Sequence, residues 1–104
     1  MPATPLRILG IDPGLNRTGF GIVEISGSQL AFLCAGVIRV PAGELHARLG
    51  VILSSLGDVI RDARPQVATI EKVFASVNPK STLLLGQARG AAICAAVQAG
   101  LAVH

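Results

Sequence analysis

The stretch Ile8-Leu9-Gly10-Ile11-Asp12-Pro13-Gly14 constrains this chain most. It is an apolar run of strand length that ends abruptly on a carboxylate and a turn. A run without polar alternation reads as a central strand covered on both faces. Pro13 biases Asp12 toward extended geometry and removes the next ladder donor, so the strand stops there. Gly14 lets the chain turn and leaves the carboxylate uncovered. By itself this pattern is equally that of an Asp opening an ordinary turn.

A second run, Gln66-Val67-Ala68-Thr69-Ile70-Glu71, also ends on an acid. Between the two lie an antiparallel meander and a helix. The meander comprises strands over Thr18–Ser26 and Gln29–Val40 around the turn Ser26-Gly27-Ser28. Gly19, Gly21 and Gly36 imply bends or close backbone approach there. The helix covers about Glu44–Ala63, with Leu45, Leu49, Ile52, Leu56, Val59 and Ala63 on one stripe and Pro65 ending it. His46 falls off that stripe and reads as solvent-facing.

A strand, a helix and a further strand imply a parallel crossover. Asp12 and Glu71 then meet at the C-terminal edge of adjacent strands, where ligands of open α/β sheets collect. Asn78 as N-cap and Pro79 at the first position open a second helix that Gly100 ends. Apolar nearly all round, it should be buried on more than one side. Leu101-Ala102-Val103-His104 begins a fifth strand, so the chain reads as one domain that stops in mid-fold.

Composition agrees with an unfinished surface. Hydrophobic residues are 51% of 104, charged residues 14%, and mean hydropathy is +0.62. So little charge implies either a sheet covered on both faces or apolar surface awaiting a partner or further chain. Net charge is +3, and seven of nine basic residues are Arg, which leans toward a phosphate-bearing partner. The N-terminus has no secretory pattern. Cys34 and Cys94 fit no CxxC spacing and read as buried thiols of a cytosolic protein. The second helix is too interrupted by Gln87, Arg89 and Gln98 for a membrane span, so no membrane role is expected.

These residues resemble a known family. Ile8-Leu9-Gly10-Ile11-Asp12-Pro13-Gly14, Thr18-Gly19-Phe20-Gly21, Ile70-Glu71-Lys72-Val73-Phe74 and Leu85-Gly86-Gln87-Ala88-Arg89-Gly90 are similar, in order and spacing, to the N-terminal part of RuvC-type Holliday-junction resolvases. The first motif alone is weak; the last two are much more specific. The resemblance implies an α/β, RNase H-like mixed five-stranded sheet: an antiparallel meander, then two parallel strands reached by helical crossovers. It implies a homodimeric, Mg²⁺-dependent endonuclease, Mn²⁺ being a possible substitute, that nicks four-way DNA junctions symmetrically in recombination and repair. A branch-migration helicase complex is the implied partner, and the cytoplasm the implied location.

By the same resemblance, Asp12 and Glu71 match the first two of four catalytic, metal-binding acids. The other two, and later basic residues that help hold DNA, belong to a C-terminal helix that this sequence does not contain. Residues 1–104 therefore read as one incomplete nuclease domain with weak or no cleavage of its own. Two-metal hydrolysis sets ions about 3.5–4 Å apart, and two carboxylates look insufficient for both. Phe74 matches a position where an aromatic reaches the junction centre; a core Phe is the equal alternative. Lys72, Lys80 and Arg17 are candidate phosphate contacts, each otherwise a solvated charge. Arg89, on so apolar a helix, is expected to make a structural hydrogen bond. Gly86, Gly90 and Ala91 mark the expected dimer seam.

Two rival readings stand. One is a junction-binding, dimerising module that does not cut. The other is an actin-like ATP-binding domain, which also opens with a strand, Asp-x-Gly and a hairpin. Asn16-Arg17-Thr18-Gly19 lacks the small hydroxyl residues that the latter expects.

Overall fold

A computed structural model describes residues 4–72 and 78–104. Strand β1 (Leu6–Asp12) is followed by β2 (Arg17–Ser26) and β3 (Gln29–Arg39), then helix α1 (Leu45–Ala63). Strand β4 (Val67–Ile70), helix α2 (Pro79–Gln98) and a short β5 (Ala102–Val103) complete it. The sheet order is β3-β2-β1-β4-β5. β1 is antiparallel to β2, β2 to β3, and β4 is parallel to both β1 and β5. This is the expected mixed five-stranded sheet.

Local signals account for the boundaries. Gly27 takes φ +62° in the hairpin, a conformation glycine adopts without penalty. α1 ends on Arg64 in the left-handed region, and Pro65 prevents its continuation. Asn78 caps α2: its Oδ1 accepts from the Lys80 and Ser81 amides at 3.0 and 3.4 Å. An N-cap of this kind is worth about 1 kcal/mol against alanine.

Both helices pack on one face of the sheet and against each other. Leu9, Ile11, Ile22, Ile52 and Leu56 form the centre of this core, joined by Ile60, Ile70, Ala88, Ala92 and Ala95. Each fully buried Leu or Ile contributes roughly 1.5–3 kcal/mol. The small alanines of α2 let it lie close to α1 and the sheet.

The other face is open, and this corrects the expectation of a strand covered on both sides. Along β1, Leu9 and Ile11 are buried, whereas Ile8 and Gly10 are half-buried and Asp12 is exposed. An unbroken apolar run does not by itself encode a second layer. The open face carries Leu6, Leu30, Phe32 and Val37, the middle two 68% and 69% exposed.

Cys34 and Cys94 are both exposed, also against expectation. Cys34 sits on edge strand β3, which the helices do not cover; only Ile38 of that strand is buried. Cys94 lies on the outer face of α2, whose buried residues are all alanines. No helix among the described residues is long and apolar enough to cross a membrane.

Candidate active site

Strand pairing builds the site. In the parallel register Ile11 lies beside Ile70, so Asp12 and Glu71 leave adjacent strands at the same end. The Glu71 amide donates to the Ile11 carbonyl at 3.0 Å, extending the ladder to the acid itself. Asp12 alternates with Ile11 across the pleat and therefore stands on the open face. Both carboxylates are exposed.

The two carboxyls are close enough to hydrogen-bond. That bond, then repulsion from the Asp12 charge, then slight desolvation, raises the Glu71 pKa above its ordinary value. Glu71 thus loses its proton at higher pH than an isolated glutamate would. Two acids crowded together, with no ion-paired base among the described residues, suit a hard cation that prefers oxygen ligands. Asp12 and Glu71 could hold one such ion, leaving its other positions to water and substrate oxygens. Among the described residues no cluster of three or more His, Cys, Asp or Glu is present.

The floor beside them is made of backbone. Gly10, Gly19 and Gly21 line a shallow depression of about 520 Å³ with Asp12, Thr69 and Glu71. Gly19 is the cross-strand partner of Asp12, and Gly21 that of Gly10. On the helix side, Gly36 leaves room for the Phe20 ring: a Cβ there would stand 2.6 Å from Phe20 Cζ.

Three side chains tie down the backbone around the acids. The wholly buried Thr18 donates from Oγ1 to the Gly14 carbonyl at 2.8 Å and accepts from the Gly14 amide at 3.2 Å. Arg48 of α1 donates to the Leu15 carbonyl and to Asn16 Oδ1, and its Nε to the Pro41 carbonyl. Arg89 of α2 donates from Nε to the Glu71 carbonyl at 3.0 Å. The structural hydrogen bond expected of Arg89 therefore falls on the backbone of a candidate ligand. Sequence reasoning missed Arg48 and the Thr18 role, because both act through contacts that only the β1–β2 turn creates.

The remaining candidates are distributed as follows. Arg17 is exposed at the start of β2, on the open face with Asp12. Lys72 is exposed directly after Glu71, and Lys80 is exposed in the first turn of α2. Phe74 lies outside the described residues. On α2, Gly86 and Gly90 have nothing near where a Cβ would stand, and they lie on an outward stripe with Leu83, Cys94 and Val97. Ala91 sits at the border of that stripe, half-buried against the core.

A mixed sheet in this order, with acids ending its two central parallel strands, defines an RNase H-like protein. A family model described as crossover junction endodeoxyribonuclease RuvC matches residues 8–104, and the chain belongs to that family. It is 58% identical over 98 residues to the RuvC of Burkholderia multivorans, covering 94% of this chain and 54% of the relative. A structure of Thermus thermophilus RuvC in complex with Holliday junction substrate superposes with a TM-score of 0.83 at 26% identity, over 95% of this chain and 62% of that one. The yeast mitochondrial Holliday junction resolvase Ydc2 shares the fold at 12% identity, with a TM-score of 0.69 over 94% of this chain and 50% of its own. The chain spans about half the length of the curated relatives it matches.

Proposed function

We propose that this chain carries the catalytic face of an endonuclease that resolves four-way DNA junctions. The reaction is Mg²⁺-dependent phosphodiester hydrolysis, with Mn²⁺ able to substitute, and it delivers paired symmetric nicks in recombination and repair. The observation that carries this reading is the contact between Asp12 and Glu71 on an open, glycine-floored sheet face, in a chain of the RuvC family.

The chemistry follows from the residues. A bound divalent ion would supply charge neutralisation at the phosphate and polarise its oxygen ligands. Asp12 and Glu71 would hold that ion from two strand ends fixed by the ladder. The absence of side chains on Gly10, Gly19 and Gly21 would let a sugar-phosphate backbone lie close to them. Lys72, Lys80 and Arg17 are proposed phosphate contacts, and Phe74 a proposed stacking residue. The outward stripe of α2, with Gly86 and Gly90 and flanked by Ala91, is the proposed two-fold seam; a two-fold dimer matches a two-fold substrate. A branch-migration helicase is the proposed partner in the cytoplasm.

One observation favours a second reading for residues 1–104 taken alone. The described residues gather two carboxylates, short of a full ligand set for two ions. Such a chain would bind junctions without cutting them. Incubation of the intact protein with an end-labelled four-way junction and Mg²⁺, read on a denaturing gel, tests the main proposal. Symmetric nicks that an Asp12→Asn variant fails to make support it. Binding in Ca²⁺ with no nicks in Mg²⁺ supports the binding module.

A further inference from the structure

Strand register sets Arg17 directly opposite Arg39 at the end of the β2–β3 ladder. The adjacent Val40 amide donates to the Asn16 carbonyl at 2.9 Å, so Arg17 and Arg39 form a non-hydrogen-bonded pair. That is the closer of the two cross-strand arrangements, with Cα atoms about 4.5 Å apart. Both residues are exposed, and both alternate with inward residues, Thr18 and Ile38, that are buried against the helices. They therefore project from the open face that carries Asp12. Arg17 lies two positions before Gly19, the partner of Asp12, which makes it the diagonal neighbour of that acid.

Like charges directly opposite one another destabilise a strand pair. Four of the other five arginines are engaged, Arg7 with Glu24, Arg61 with Asp58, Arg48 with turn oxygens and Arg89 with the Glu71 carbonyl, while Arg64 stands by itself among the described residues at the end of α1. Among the described residues, neither Arg17 nor Arg39 has an acid within ion-pair distance. Two exposed arginines rooted opposite one another on the open face, neither ion-paired among the described residues, are arranged for an external anion. Their planar donor forks match phosphate oxygens.

We propose that Arg17 and Arg39 jointly clamp one phosphodiester of the DNA strand that crosses Asp12 and Glu71. The inference deepens the proposed function and rests on its nucleic-acid substrate. Arg39 is the new member, placed directly beside Arg17 by the register. The clamp fixes the register of the strand on the sheet, so that the bond to be cut lies over the acids and not beyond them.

The test is the salt dependence of DNA binding by the intact protein in Ca²⁺, on a four-way junction and on a linear duplex of equal length. Variants are Arg17→Gln, Arg39→Gln and the double variant, with Arg64→Gln, an exposed arginine at the end of α1, as control. Thermal unfolding without DNA checks that each variant is folded. The clamp predicts that the double variant lowers the slope of log K against log salt by about 0.9, the value for one phosphate. Either single variant should produce most of that change, and Arg64→Gln none. An unchanged slope in the folded double variant overturns the clamp, and a loss near twice that size overturns joint action on one phosphate. Equal affinity of the unmodified protein for junction and duplex would contradict junction selectivity instead, while the slopes on duplex would still decide the clamp.

Discussion

Glu71 and Asp12 stand side by side at the ends of two parallel strands, and the interaction between their carboxyls raises the Glu71 pKa. Glu71 therefore keeps its proton to higher pH than an isolated glutamate does. Below the raised pKa a cation must displace that proton, so ion binding and pH are linked at this site.

Affinity for Mg²⁺ or Mn²⁺ should therefore rise with pH through the raised Glu71 pKa, and proton release should accompany binding. Stability without metal runs the other way. A raised acid pKa contributes stability that is present below the unfolded value and lost as pH rises through the folded one. Asp12→Asn removes the opposing charge and retains a hydrogen-bonding partner. In EDTA at neutral pH its Tm should equal or exceed that of the unmodified protein, while its ion binding falls. A lower Tm for Asp12→Asn under those conditions would contradict the repulsion.

Thr18→Val should destabilise the fold by about 1–3 kcal/mol, the cost of leaving buried polar groups unpaired. Both bonds that it loses hold Gly14, next to the turn that carries Asp12. Denaturant unfolding of the intact protein measures this. Gly14→Ala should be worse, because its Cβ would stand 2.2 Å from the Arg17 carbonyl oxygen.

Arg89 supplies a pair of variants that separates donor from charge. Gln places an N–H at the same number of bonds from Cα as the arginine Nε, and Met places a methyl carbon there. Arg89→Met should lower the cleavage rate about 10- to 100-fold, the scale on which small misplacements act, with junction affinity unchanged. Arg89→Gln should keep most of the rate. Equal losses in both, or losses confined to binding, would mean that the charge matters and the hold on Glu71 does not.

The open sheet face predicts self-association of the 104-residue chain when it is produced by itself. Leu30 and Phe32, among its most exposed apolar residues, are the contacts to change. Leu30→Glu with Phe32→Glu should shift its sedimentation toward a monomer. If the unmodified chain is already monomeric at high concentration, this face is not adhesive.

Much of this architecture was readable from residue order. Two apolar runs, each ending on an acid and separated by one helix, led to a parallel pair and to the meeting of Asp12 with Glu71. Asn78-Pro79 and Gly27 marked boundaries through local chemistry that survives in the fold. What could not be read depends on which faces the helices cover. Ile8 looks as apolar in sequence as Leu9, yet α1 and α2 shield only one side of the central strands, and Cys34, beside the buried Ile22, is exposed because the helices do not reach the edge strand. The significance of Arg39 was equally hidden, since a lone Arg at a strand end acquires its neighbour from register. Arg89 lay between these cases: its apolar helix implied an internal partner but did not say which.

The most direct test of the central claim is a titration of Mn²⁺ into the intact protein without DNA, followed by electron paramagnetic resonance. Asp12→Asn and Glu71→Gln are measured alongside, with folding checked by circular dichroism. A shared site predicts saturable binding that either substitution weakens by at least tenfold, and that strengthens as pH rises. If both folded variants bind Mn²⁺ as tightly as the unmodified protein, Asp12 and Glu71 do not form the metal site.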